Sequence, residues 1–297
     1  MALKFKGIEI EDTYSEAFDG FFSRILVTAD DDKRLYKAAF GSTTLPSTVL
    51  GESEGGIEKW LNERDTPDGR KGAIVQIWTN YNRGIGKLEY ELAKRIRQGI
   101  LVVPTTRVFN ALESKDRIDI MNRVGHCGDG YECLEEKFGR EVINIPIMMG
   151  GFIIERYLGC TKGVMGGTIW FFCETQDSAL EVGDRAVEAV SKIDGAITPF
   201  DVCSAGSKVE TKYPEIGPTT NHPYCPTLKD EIPDSMVPGG VASIPEIVIN
   251  GTTIDVVKEA MRAAIRSVAG IKGVVKISAG NYGGKLGKHK IWLRDVV

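Results

Sequence analysis

Hydrophobic positions along this chain switch between a period of two and a period of 3.6, and the switch repeats. Ala73-Ile-Val-Gln-Ile-Trp78 reads as a strand, and Leu88, Leu92 and Ile96 then mark one face of a helix. Ile100-Leu-Val-Val103 predicts a return strand, stopped by Pro104. The arrangement recurs at Thr168-Ile-Trp-Phe-Phe-Cys173, which leads into a helix starting near Asp177 or Ser178. There Ser178 and Glu181 have capping-box spacing, and Leu180, Val187, Val190 and Ile193 form the stripe. Gly195 ends that helix, and Ala196-Ile-Thr-Pro199 returns as a strand.

A third copy is the cleanest. Glu246-Ile-Val-Ile249 predicts a strand, and Thr252 with Asp255 can cap the helix after it. Ile254, Val257, Met261, Ile265 and Val268 share a helical face, Gly270 or Gly273 stops it, and Val274-Val-Lys-Ile277 is the return strand. A last alternating piece, His289 to Leu293, can pair beside it. Strand–helix–strand units of this kind predict an α+β fold. Two lobes with ferredoxin-like split βαβ layers are expected, with helices packed on largely antiparallel sheets. The pattern is weakest from Asn110 to Gly167, so a lobe boundary falls there, giving residues 1–147 and 148–297. Between 205 and 240 six prolines predict a long ordered connection without regular elements.

Composition narrows the function. The 297 residues carry 37 basic and 41 acidic side chains, a net charge of −4, which leaves no basic surplus for nucleic acid. No apolar run approaches a membrane span, and no apolar leader stands at the N-terminus, so a cytoplasmic protein is expected. The six cysteines form no C-x-x-C pair, and most read as small core residues in a reduced compartment.

Familiar chemistries fit poorly. Gly280-Asn-Tyr-Gly-Gly-Lys-Leu-Gly-Lys288 lacks the spacing and the hydroxyl of a P-loop, and Gly163 to Thr168 lacks a dinucleotide fingerprint. His126 with Cys127 and Cys133, or His222 with Cys225, match no zinc spacing, so no metal site is expected. With three histidines and no G-x-S-x-G elbow, a Ser or Cys nucleophile has little support. Two loops remain. Ser204-Ala-Gly-Ser207-Lys208 and Asn281-Tyr-Gly283-Gly284-Lys285 offer amides, polar side chains and a cation after strands, suited either to an anion or oxyanion or to plain tight turns. Glu246 opens an otherwise apolar strand. Covered, it becomes an acid/base with a raised pKa; uncovered, it is an ordinary surface carboxylate.

Several segments together resemble a known family. They include Gly7-Ile-Glu-Ile-Glu-Asp-Thr13, Glu58 in its Gly-Gly-Ile-Glu turn, Thr66-Pro-Asp-Gly-Arg70, Gly128-Asp-Gly-Tyr131, Gly206-Ser-Lys208 and Asn221-His to Cys225-Pro-Thr227. The closest are Glu246-Ile-Val-Ile-Asn-Gly251 and Lys276 to Lys288. The chain resembles, over its whole length, formylmethanofuran–tetrahydromethanopterin formyltransferases of archaeal one-carbon metabolism, which have relatives in methylotrophic bacteria. The resemblance implies formyl transfer from methanofuran to N5 of tetrahydromethanopterin or a close pterin. It implies Glu246 as the catalytic residue. Beside it the chemistry of the two loops makes Ser204, Ser207, Lys208, Asn281, Gly283, Gly284 and Lys285, together with Asn221, the substrate-binding candidates. It further implies no tightly bound cofactor, the two coenzymes as substrates, and a homo-oligomer, typically a dimer of dimers. Two alternatives stay open: a pterin-binding paralogue with little turnover, and the transferase subunit of a bacterial formyltransferase/hydrolase complex.

Overall fold

The computed structural model describes residues 3–297. They form two compact units, the chain up to Asp19 with Gly163–Val297, and Gly20–Lys162.

The unit containing Gly163–Val297 holds one complete β-α-β-β-α-β motif. Its strands are the C-terminal part of Tyr157–Cys173, then Ala196–Ile197, Glu246–Gly251 and Val274–Ser278; its helices are Gln176–Val190 and Ile254–Ser267. In the sheet they stand in the order fourth, first, third, second, every neighbour antiparallel. The split βαβ layer expected from sequence is therefore present. Ile8–Ile10 extends it in parallel beside Val274–Ser278, and Leu3–Phe5 closes the edge. His289–Trp292 pairs with Tyr14 to Ala17. The apolar faces of both helices cover the sheet: Ala179, Val182, Ala186 and Val190 from one, Val257, Ala260, Met261, Ala264 and Ile265 from the other.

Gly20–Lys162 repeats the motif. Its strands are the remainder of Tyr14–Thr28, then Glu54–Leu61, Gly72–Asn80 and Arg107–Asn110; helices Asp32–Thr43 and Ile85–Arg95 fill the crossovers. The pairings again give fourth, first, third, second. Gly150–Glu155, Arg140–Ile147 and Cys133–Lys137 continue this sheet beyond Arg107–Asn110.

Local corrections arise from packing. Ile100–Val103 is no strand, because Ile85–Arg95 runs on as a π-helical turn over Ile96–Leu101. There Gly99 lies against helix Asp32–Thr43 so closely that a Cβ would sit 2.7 Å from the Gly41 carbonyl carbon. Ile96 and Ile100 reach the core from that turn, as a short apolar run can in either conformation. Helix Gln176–Val190 starts earlier than expected, its capping box formed by Thr175 and Ser178. Of the expected stripe, Val190 is buried and Val187 and Ile193 pack against the core, whereas Leu180 is 57% exposed and Ala179 and Val182 are buried instead. Likewise Thr253, not Thr252, caps Ile254–Ser267 by accepting from the Val256 amide.

Candidate active site

Glu246 begins the strand next to Tyr157–Cys173, with Trp170 directly opposite. It is 4% exposed, so the sequence's solvent-facing alternative does not hold. The Trp170 indole N–H donates to Glu246 Oε1 at 2.8 Å. On the other side Cys203 forms an antiparallel bridge with Glu246: the Cys203 amide donates to the Glu246 carbonyl at 2.9 Å, and the Glu246 amide to the Cys203 carbonyl at 3.0 Å. The Cys203 thiol also bonds the Glu246 carboxyl. Both side-chain partners are neutral. Burial therefore dominates and pushes the Glu246 carboxyl above the usual carboxylate range, with the indole and thiol pulling it only part of the way back. Cys203 is held up in turn by its own burial and by Glu246, against amides of Ala205 and Gly206. Tyr282 is raised too, first by burial and then by Glu246.

Glu246 opens onto a cavity of about 360 Å³, whose lining includes Trp170, Ser204, Gly206, Asn221 and Tyr224. Trp170 and Tyr224 form part of its wall, their rings tilted 56° with centroids 4.7 Å apart, and Phe172 stands edge-on to Tyr224. The proline-rich connection forms much of the rest, with the first turns of helix Gln176–Val190 and residues 242–245, and internal bonds give the connection order. Thr220 donates to the Ala205 carbonyl at 2.7 Å, Lys208 and Thr219 form a bridge, and the Met236 amide reaches the Pro223 carbonyl at 2.7 Å.

Of the sequence-derived candidates, Ser204, Asn221 and Glu246 line this one cavity. Ser207 lies beside it, its carbonyl accepting from the Tyr282 hydroxyl at 3.1 Å. Lys208 turns elsewhere: its Nζ donates to His222 Nδ1 at 3.0 Å, which leaves Nε2–H to donate to Asp234 at 3.1 Å. Lys285 pairs with Glu210. Asn281 donates to Thr13 at 3.1 Å and accepts from the Gly283 amide at 3.0 Å, while the Gly284 amide donates to Glu16 at 2.6 Å. The amides of the second loop are thus engaged within the protein.

Trp170, Cys203, Tyr224, Tyr282 and Glu16 escape a reading of the sequence. Trp170 alone carries a signal, since an indole N–H in the apolar run 169–173 needs an acceptor when buried. Cys203 looks like any small core residue.

Two family models match the chain. Residues 3–147 match the model described as formylmethanofuran-tetrahydromethanopterin formyltransferase, and residues 150–296 match its proximal lobe. The chain belongs to this family. A "Formylmethanofuran--tetrahydromethanopterin formyltransferase-like protein" of Archaeoglobus fulgidus is 60% identical, over 99% of this chain and 98% of that protein. Among solved structures, a formylmethanofuran:tetrahydromethanopterin formyltransferase from Methanosarcina barkeri superposes with a TM-score of 0.91 at 38% identity, covering 99% of this chain and all (100%) of that one. A chain of the formyltransferase/hydrolase complex from Methylorubrum extorquens, solved with methylofuran, superposes with a TM-score of 0.92 at 35% identity over 100% and 99%. The family's activity is acyl transfer, the passage of a formyl group between the two named coenzymes.

Proposed function

We propose that this chain itself transfers a formyl group between methanofuran and N5 of tetrahydromethanopterin or a close pterin, with Glu246 carrying the proton. The observation behind this reading is a buried carboxyl, bonded among the described residues by the neutral Trp170 and Cys203 side chains, at the cavity. Attack of N5 on the formyl carbon forms the new C–N bond and moves the carbonyl electron pair onto oxygen. Collapse of the tetrahedral intermediate breaks the bond to the methanofuran nitrogen. That nitrogen must gain one proton and N5 must lose one. A carboxylic acid held neutral gives its proton to the leaving nitrogen and recovers one from N5, leaving no net change. The indole and thiol beside it are donors, so the acid's own proton is left for the cavity side. With the amides of the 281–287 loop already bonded, Ser204 and Asn221, two of the polar residues lining the cavity, are our candidates for the developing oxyanion. Alignment of two large coenzymes over Trp170 and Tyr224 supplies the remaining acceleration.

Formyl transfer followed by pterin absorbance tests this. The wild-type chain should turn over, and Glu246→Gln should lose more than about tenfold in kcat while coenzyme binding is largely retained. Unchanged turnover in the variant overturns the role of Glu246.

The same reading places the protein in the cytoplasm as a homo-oligomer, a dimer of dimers, without a tightly bound cofactor. Light scattering of the purified chain checks the subunit count. A second reading has one observation in its favour. Identity is 60% to a protein named formyltransferase-like, against 38% to the solved formyltransferase. A pterin-binding paralogue would show coenzyme binding without turnover in the same assay. A formyltransferase/hydrolase subunit would instead co-purify with a hydrolase.

A further inference from the structure

The Asn281–Gly287 loop has the composition of an anion-binding turn, and the chain supplies its anion. Glu16 on strand Tyr14–Thr28 is fully buried (0% exposed). Its Oε1 accepts from the Tyr282 amide at 2.7 Å and the Gly284 amide at 2.6 Å. Its Oε2 accepts from the Leu286 amide at 2.9 Å and the Gly287 amide at 3.4 Å. Gly283 and Gly284 both lie at positive φ, 68° and 83°, and this lets the backbone curl so that amides 282, 284 and 286 converge. At Gly287 a Cβ would stand 2.2 Å from the Ala17 carbonyl oxygen, so the loop rests directly on the strand that carries Glu16. Burial alone would raise the Glu16 carboxyl. The four amides outweigh it and hold the group below the ordinary carboxylate value, as an anion.

The loop so folded reaches the candidate site. Tyr282 donates its hydroxyl to the Ser207 carbonyl, and Lys285 pairs with Glu210 two residues beyond Lys208. Both contacts land on the segment that leaves Cys203 beside Glu246 and lines the cavity with Ser204 and Gly206.

We propose that Glu16 is a positioning residue of the candidate site: it is the built-in anion around which residues 281–287 fold, and through Tyr282 the folded loop fixes the Ser204–Lys208 segment at the cavity. This role rests on the cavity being the coenzyme site. Glu16 touches no substrate; it acts through the loop. A carboxylate is required, because an amide side chain would turn an N–H toward one pair of backbone donors. Truncation at Cβ, by contrast, leaves a space the size of acetate.

The test compares wild type, Glu16→Gln, Glu16→Ala and Tyr282→Phe for kcat, KM and tetrahydromethanopterin Kd, the last read from intrinsic tryptophan fluorescence. Glu16→Gln and Glu16→Ala should raise KM and Kd by about tenfold or more, with a smaller change in kcat because Glu246 keeps Trp170 and Cys203. Added acetate should restore much of the Glu16→Ala loss and none of the Glu16→Gln loss. Tyr282→Phe should reproduce part of the rise in KM with an unchanged melting temperature, which keeps the proposal testable should the Glu16 variants fail to fold. Unchanged KM and Kd in Tyr282→Phe, or a Glu16→Ala loss that acetate leaves untouched, overturn it. If wild type binds the pterin without turning over, the formyltransferase reading fails while the Kd comparison still decides the role of Glu16.

Discussion

Both units bury a carboxylate on a strand of a ferredoxin-like sheet, yet they treat it in opposite ways. In Gly20–Lys162, Glu58 has a side chain 1% exposed and meets Arg24 through two oxygens at 2.6 Å, with Gln76 donating at 2.7 Å. In the other unit, Glu246 is also buried, and among the described residues its carboxyl bonds an indole and a thiol. A bidentate guanidinium holds a carboxylate charged, whereas burial among neutral donors leaves the neutral acid favoured. One arrangement holds structure together. The other keeps a proton available beside a cavity. Glu16 is an intermediate case, charged without a cation because four amides share it.

The largest effect on the fold should come from breaking the first arrangement. Arg24→Met removes the guanidinium that meets buried Glu58 through both carboxylate oxygens and should cost about 3 kcal/mol at neutral pH, measured by urea unfolding. Glu246→Gln should do the reverse. Because the folded Glu246 titrates above its unfolded value, the folded state binds more protons than the unfolded chain from about pH 4.5 up to the raised pKa. Through that window its contribution to stability falls as pH rises. The variant carries no such penalty, so it should match or exceed wild-type stability at neutral pH, and its relative gain should grow with pH until Glu246 has ionised. Both sets of unfolding curves come from one pH series.

A smaller effect is expected on the site. Trp170→Phe removes a donor that favours the charged form of Glu246, so the pH profile of formyl transfer should move upward. The rate itself should fall severalfold, about a hydrogen bond's worth, through looser placement of the carboxyl. Cys203→Ala should move the profile in the same direction and by less, since a thiol is a weak donor. A downward shift in either variant would show that these side chains do not act on Glu246.

How much of this is legible in the sequence depends on whether the deciding contact is local. The stripe Val257, Met261, Ile265 and Val268 is readable because one helix face buries all four. The start of Gln176–Val190 is misread because Thr175 and Ser178 satisfy each other by a pattern a Ser178–Glu181 spacing imitates. Tyr14–Thr28 escapes because Ser15, Glu16 and Ser23 are buried polar residues that break its alternation. Glu246 can be singled out, its environment cannot: Trp170 lies 76 positions away, and the bond between them exists only once the sheet has formed. The same holds for the glycine loop, where composition leaves an anion site and a plain tight turn both open and the fold sets the Glu16 carboxylate, 266 positions from Tyr282, among its amides.

The contrast between the two carboxyls can be read directly by difference infrared titration of wild type against Glu246→Gln. A carboxylic-acid C=O band that is missing from the variant and persists in wild type well above the ordinary carboxylate range is the predicted result. Loss of that band within the ordinary range would contradict the proposed role, because Glu246 would then face the cavity as an ion with no proton to give.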